Sequence, residues 1–323
     1  MNPIQMFTRG FKTGVSNLGM VWLYLGVLVA MGLLMVAPIV VFLMIMGFGA
    51  VSSPGGALES LADHWALYAG GTLFMLAWLT IVFLGYFYFE AGLRGLVARA
   101  HRQAPEDDFS LRPRFGSAEG FRVFRFDAWL EEARCHGWRV TVLATVYAAV
   151  ATLALAVVLI PAVYGFLQFM NGDRGTVVWV CAALTILLFL LFVLAGIAIS
   201  LHYQCAVTWA VLNRSGWREA VRAATALIRA RPLEFLALFG LSLAGGMVLA
   251  AAFTLLSMPL VVLSVIPGLA LLLLPVRLLL TLCQYWFQGL LQVTVMGAYT
   301  AYCAPLPAAA PATAAPVSPE PIG

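Results

Sequence analysis

The sequence predicts an all-α fold: a membrane bundle of six transmembrane helices arranged as three helix-hairpin units. Three observations predict it. Apolar residues make up 63% of the 323 residues and charged residues only 10%, whereas an ordinary soluble domain has about 25% charged residues. Apolar runs long enough to cross a hydrocarbon core about 30 Å thick recur along the chain. The cations lie almost entirely between alternate runs. This composition excludes a soluble globular protein, which would need a charged surface.

The apolar windows give the order of the spans. They lie near residues 20–49, 67–97, 138–167, 176–210, 233–257 and 276–302, within an integral membrane domain over residues 1–303. The first window is too long for the apolar region of a signal peptide and has no small-residue cleavage site behind it, so we expect it to remain as a span. Residues 304–323 are rich in proline and alanine and are predicted to form a disordered tail.

The cations predict the orientation. Of the 18 lysines and arginines, all but Arg174 and Arg277 lie before span one, around the loop between spans two and three, or between spans four and five. Cytosolic loops carry an excess of lysine and arginine. We therefore expect the N-terminus and both long loops to be cytosolic. Six spans would place the C-terminus on the same side, although the tail carries no cation of its own.

One stretch, residues 258–275, is uncharged and is interrupted by three prolines and a glycine. We interpret it as an outer connection that dips into the membrane, where surrounding protein must cover its backbone. The alternative is a short seventh span, which would place Arg277 inside and the C-terminus outside.

A similar order of features occurs three times, which predicts three helix-hairpin units and favours six spans over seven. Each odd-numbered span follows a basic amphipathic segment, as expected of a helix lying in the cytosolic interface. A proline lies late in each odd span. Each even span contains an aromatic residue followed by an acid or amide: Phe89-Glu90, Tyr203-Gln204 and Phe287-Gln288.

Polar side chains within spans are the candidates for a functional site, because they are costly in the bilayer. They are Glu90, His202, Gln204, Gln284, Gln288 and Gln292. The last three are four residues apart and share one helix face. If the repeat holds, Glu90, Gln204 and Gln288 converge on one polar point. That point is either an intramembrane ligand or ion site, or a set of interhelical hydrogen bonds worth about 0.6 kcal/mol each. We favour the second interpretation, interhelical hydrogen bonds.

Catalytic signatures are missing. The sequence has no G-x-x-x-x-G-K-[ST], H-E-x-x-H or G-x-S-x-G motif. The five cysteines have no paired spacing, so we interpret them as small buried hydrophobes rather than disulfides or metal ligands. We expect no catalytic residue, no cofactor, no metal site and no enzymatic activity. An intramembrane enzyme would need its one available titratable pair, Glu90 and His202, to meet.

Several segments at the predicted cytosolic side resemble uncharacterised families of bacterial six-span membrane proteins. They are Gly92-Leu93-Arg94, Gln103-Ala104-Pro105-Glu106-Asp107-Asp108, Phe115-Gly116, Phe126-Asp127-Ala128-Trp129, Ala220-Val221-Arg222-Ala223-Ala224 and Leu227-Ile228-Arg229-Ala230-Arg231-Pro232. In layout these families are similar to the membrane domain attached to some glycerophosphodiester phosphodiesterases. The resemblance covers most of residues 1–302 and implies a six-helix bundle without transferable catalytic residues. Together with the charge bias, it implies the bacterial cytoplasmic (inner) membrane.

Two functions follow as hypotheses. The first is a non-enzymatic membrane protein that binds lipid or a membrane protein partner, because each arginine near an anionic surface adds about 1 kcal/mol of attraction. The candidate headgroup contacts are Arg9, Lys12, Arg218, Arg222 and Arg229. The second is a transporter or exporter of a small or amphipathic solute, suggested by the interrupted segment 258–275 and the polar residues within spans. We expect no nucleic acid partner, and the sequence leaves the oligomeric state open.

Overall fold

The computed structural model describes residues 2–52, 65–103, 124–172 and 175–304, which are helical with no strand. Two features of the sequence lie outside the described residues. One is the tail at 305–323. The other is the loop at 104–123, which carries Arg112, Arg114 and Arg122 and part of the family resemblance.

The described residues form eight helices. They are α1 (Pro3–Ser16), α2 (Leu18–Ser52), α3 (Trp65–Gln103), α4 (Phe126–Met170), α5 (Thr176–Asn213), α6 (Trp217–Ala230), α7 (Pro232–Leu263) and α8 (Pro267–Cys303). Six of them, all except α1 and α6, are long and apolar enough to cross a membrane. The predicted all-α bundle of six spans is confirmed.

The helices pack as three hairpins around a common centre. The pairs α2–α3, α4–α5 and α7–α8 form the hairpins, and their second helices α3, α5 and α8 also contact one another. Each basic segment packs on the second helix of the preceding hairpin: the start of α4 on α3, α6 on α5, and α1 on α8. The order therefore closes from the last hairpin back to the first, which agrees with the threefold sequence pattern.

The segment 258–275 departs from our expectation. α7 continues to Leu263, a short turn occupies residues 264–266, and α8 begins directly at Pro267. The prediction of a dipping connection was wrong, and the described helices contain no seventh span here either. A proline in the first turn has no intrahelical N–H bond to lose, so Pro267 starts α8 without strain. The stretch is simply the tip of the third hairpin.

Local backbone features mark the boundaries of the short helices. The Asn2 side chain accepts a hydrogen bond from the Ile4 backbone N–H at 3.2 Å, and the Gln5 side chain accepts one from the Asn2 backbone N–H at 3.0 Å. This capping box satisfies N–H groups that lack helical partners. α5 ends at Asn213 and is followed by Arg214, whose φ of 52° lies in the left-handed region and which leads towards α6. The basic segment before span three is not a separate helix, because α4 runs unbroken from Phe126.

The two ends of the bundle differ in packing. We call the end with α1, α6 and the start of α4 the basic end, and the end with the turns at 171–172 and 264–266 the hairpin end. Most buried residues of the three central helices fall at the basic end, within 89–100, 205–211 and 293–303. Towards the hairpin end the helices mainly expose large apolar side chains, such as Leu194 and Leu271. The well-packed core therefore occupies only one end of the bundle.

Glycines bring helix backbones close together at the basic end, as small residues do in membrane bundles. A Cβ atom added at Gly297 of α8 would lie 2.7 Å from the Gly10 Cα atom of α1. A Cβ atom added at Gly95 of α3 would lie 2.6 Å from the Glu132 Cβ atom of α4. Both crossings therefore require glycine.

Candidate functional site

A buried ion pair lies on α3. Glu90 and Arg94 are one helical turn apart and are only 5% and 3% exposed. The Arg94 Nε and Nη2 atoms both donate to Glu90 Oε1, at 2.8 Å and 2.6 Å. A buried charge is strongly destabilising unless it is paired and hydrogen-bonded. The two residues therefore form one neutral unit.

Side chains of α5 complete the hydrogen bonding of this pair. Arg94 donates to Thr208 Oγ1 at 3.0 Å and also to Gln204 Oε1. The Tyr203 hydroxyl donates to Glu90 Oε2 at 3.3 Å. We call Glu90, Arg94, Tyr203, Gln204 and Thr208 the buried ionic network. It fastens α3 to α5 at the centre of the bundle.

The structure brings only part of the predicted polar point together. Glu90 and Gln204 meet through Arg94, a residue that our sequence analysis named in the family resemblance but not among the polar site residues. Its spacing of four residues from Glu90 was the available signal, since such pairs are neighbours on a helix. Gln284 and Gln288 are half-buried, and Gln292 is exposed. None of the three makes a hydrogen bond within the described residues.

His202 belongs to a second polar contact. Its Nδ1 atom is hydrogen-bonded to the Tyr147 hydroxyl of α4, and its Nε2 atom lies 2.9 Å from Thr225 Oγ1 of α6. The Thr225 hydroxyl donates to the Val221 carbonyl, so it accepts from the His202 Nε2–H group. His202 thus links three helices, α4, α5 and α6. Among the described residues no hydrogen bond or ion pair joins it to Glu90.

The exposed side of α6 carries arginines. Ala220 and Ala224 are buried against the bundle, while Arg218, Arg222 and Arg229 are exposed. We call these three arginines the α6 basic face. The Arg218 guanidinium lies 5.1 Å from the centroid of the Trp217 ring, a cation–π distance that favours a defined orientation.

The cations of α1 are placed differently. Arg9 and Lys12 are half-buried, and Arg9 Nη2 donates to the His101 carbonyl at 3.4 Å. His101 lies in the last turn of α3, where carbonyls lack helical partners and a cation is favourable. The exposed side of α1 is apolar instead, with Ile4 62% and Phe11 42% exposed.

An apolar groove of about 410 Å³ lies between α4 and α5 at the hairpin end. Pro161, Gly165, Phe166 and Ile186 line it. The Thr185 hydroxyl in its wall is hydrogen-bonded within α5. The groove therefore offers an apolar surface of the kind that a lipid acyl chain covers.

The remaining candidate metal ligands of the described residues form no metal site. Within the described residues no three His, Cys, Asp or Glu side chains come together to hold a metal ion. All five cysteines are free. Cys205 and Cys303 are buried as expected, but Cys135 and Cys283 are exposed, so the prediction of five buried cysteines was wrong for these two.

Comparison with known proteins adds no relative. No family model matches the chain, and neither a curated protein nor a solved structure matches it.

Proposed function

We propose that this chain is a non-enzymatic integral membrane protein that binds anionic lipid headgroups through the α6 basic face. The observation that carries the proposal is the exposure of three arginines on a helix whose other side is fixed to the bundle. A membrane protein partner with an acidic surface is the other occupant that this face would suit.

The position of α6 supports a membrane-surface role. The helix is held by Ala220 and Ala224 and by the hydrogen bond from His202 to Thr225. It therefore presents its arginines without a large loss of conformational freedom. At the same end, Ile4 and Phe11 of α1 project apolar surface outwards. Basic and apolar surfaces together are typical of helices that lie in the membrane interface.

We place the basic end in the cytosol and the protein in a bacterial inner membrane. The support is the charge asymmetry of the sequence, in which only Arg174 and Arg277 of the 18 cations lie outside the basic segments. Anionic lipids give the cytosolic leaflet a negative surface potential, so an exposed arginine there adds about 1 kcal/mol of attraction.

The experiment compares lipids retained by the protein after release from nanodiscs of phosphatidylcholine and phosphatidylglycerol, measured by native mass spectrometry. We expect the wild type to retain phosphatidylglycerol preferentially. Replacing Arg218, Arg222 and Arg229 together with glutamine should remove the preference, whereas replacing all three with lysine should keep it. Arg277→Gln is the control for charge loss at the hairpin end. An unchanged preference in the glutamine variant would contradict the proposal.

Transport of a small or amphipathic solute is the second candidate, and the buried ionic network supports it, because charged side chains inside a membrane bundle often mark a pathway. However, the hydrogen bonds of Arg94 and Glu90 are made to protein groups of α3 and α5. A structural role accounts for them. If the Glu90→Gln protein is as stable as the wild type, Glu90 has no structural role, and that result would favour transport.

A further inference from the structure

The central helices separate beyond the buried ionic network. Their buried residues lie mostly within 89–100, 205–211 and 293–303, all at the basic end. Nearer the hairpin end the same helices are largely exposed. On α8, Met296 is buried, whereas Gln292, one turn nearer the hairpin end on the same face, is exposed. The central helices therefore part beyond the network, and a space opens between α3, α5 and α8. We call this space the central cleft.

The cleft is walled unevenly. α2 contacts both α3 and α8, and α4 contacts both α3 and α5. α7 packs on α8 but, in the described part of the chain, makes no comparable contact with α5. The threefold arrangement is therefore incomplete between α5 and α7, and the cleft opens sideways there, at the depth of the membrane.

Three glutamines of α8 face this cleft. On α8, Gly289 packs towards α2 and Leu291 towards α7. Successive residues turn by about 100°, so Gln288 points between these two directions. Tyr299 shares its face and packs with Phe235 and Cys205 of the neighbouring helices α7 and α5. Gln284 and Gln292 lie one turn to either side on the same face.

The glutamines extend along α8 from the middle of the membrane towards its hairpin-end side. Tyr302 marks the basic interface, because the Arg231 guanidinium at the start of α7 lies 5.1 Å from its ring centroid. At about 1.5 Å per residue, Gln292 is roughly 15 Å and Gln284 roughly 27 Å along α8 from Tyr302. A hydrocarbon core is about 30 Å thick. Gln292 therefore lies near the middle of the bilayer.

These amides have no partner within the described residues, although Gln292 is exposed and the other two are half-buried. An amide without a hydrogen bond is unfavourable in an apolar environment. A ladder of three on one face therefore requires hydrogen-bonding groups in the cleft.

We propose that the central cleft binds a neutral membrane lipid, which enters between α5 and α7. Hydroxyl or ester carbonyl groups of the lipid, as in a diacylglycerol, bond to the glutamine amides, and its chains extend through the opening into the bilayer. The lipid is neutral because Glu90 and Arg94, the charged pair at the base of the cleft, neutralise each other. A phosphate beside Gln288 or Gln292 would lack a counter-ion, because Arg277, the cation of α8 on this face, lies about 16 Å or more along the helix from both. The site is separate from the α6 basic face and does not depend on it.

The test is photo-crosslinking in phosphatidylcholine nanodiscs that contain a diacylglycerol with a diazirine in one acyl chain. We expect label on α5, α7 and α8. Replacing Gln284, Gln288 and Gln292 together with leucine should lower the yield about tenfold, the loss that about 1.4 kcal/mol of binding energy gives. Gln168→Leu is the matched control, since Gln168 is a half-buried glutamine on α4. It should label like the wild type, as should the glutamine variant of the α6 basic face.

Gln292→Leu alone separates binding from folding. Its side chain is exposed, so this change leaves the packing intact and should still reduce labelling. Equal labelling of the wild type and the variant with leucine at Gln284, Gln288 and Gln292 would overturn the proposal.

Discussion

The basic end and the hairpin end of this bundle have similar apolar composition but different packing. At the basic end, glycine crossings and the buried ionic network hold the helices together. At the hairpin end, leucines such as Leu194 and Leu271 point outwards. In a bilayer, lipid chains are as apolar as leucine, so apolar surface alone does not drive helices together. Small residues and buried polar groups therefore decide where this bundle packs.

Removing the buried carboxylate should break the basic end most strongly. Glu90→Gln leaves the Arg94 charge without its counter-ion in a buried position, which costs about 3–5 kcal/mol. We expect a large fall in thermal stability in detergent, followed by near-ultraviolet circular dichroism. The double variant Glu90→Leu with Arg94→Met removes both charges and should recover most of the loss. A double variant no more stable than Glu90→Gln would contradict the ion-pair argument.

Filling the α1–α8 crossing should have the next largest effect. Gly10→Val places a side chain against the backbone of α8 near Thr294 and should cost about 1–3 kcal/mol through overpacking. Gly26→Val in α2 is the matched control, because no described atom lies within 4 Å of a Cβ there. Differential scanning calorimetry of the two variants measures the difference. Equal stability would show that α1 does not need this close approach.

The hydrogen bonds of His202 hold one helix of the basic end, α6, to the bundle. His202→Leu leaves Tyr147 and Thr225 without their partner, and loss of two hydrogen bonds should cost about 1–2 kcal/mol. We expect faster backbone hydrogen exchange in α6. Thr185→Val is the control, because that hydroxyl bonds only within its own helix. Unchanged exchange in α6 would mean that small-residue packing alone holds it.

The smallest effect is expected at the hairpin end. Leu194 is 64% exposed, so Leu194→Ala should change the free energy of unfolding by no more than about 0.5 kcal/mol. The same change at the fully buried Leu143 of the basic end should cost about 2–5 kcal/mol. Urea unfolding in detergent micelles compares the two. Similar losses would remove the distinction between the ends.

The six spans and the threefold order could be predicted because both depend on local patterns: long apolar runs and the recurring basic segments before them. The meeting of Glu90 and Gln204 followed from the same repeat. Arg94 could have been added from its spacing alone, since a carboxylate four residues before an arginine pairs with it on a helix.

Other features depend on packing that sequence does not show. Gln288 matches Gln204 in the repeat, but α8 directs Gly289 towards α2, which leaves Gln288 facing the cleft. The prolines of 258–275 predicted a break, yet α7 and α8 continue on both sides of a short turn. In α1 the large apolar residues Ile4 and Phe11 are exposed, whereas the small residues Gly10 and Gly14 make the contact with α8.

The pairing of α1 with α8 has a consequence for biosynthesis. These are the first and last helices of the described chain, so α1 must wait at the membrane until all six spans have been made. The start of α4 and α6 find their partners much sooner, because α3 and α5 precede them in synthesis. The ring of hairpins is therefore closed by its last-made helix, and a chain halted before α8 leaves the Gly10 side of α1 uncovered.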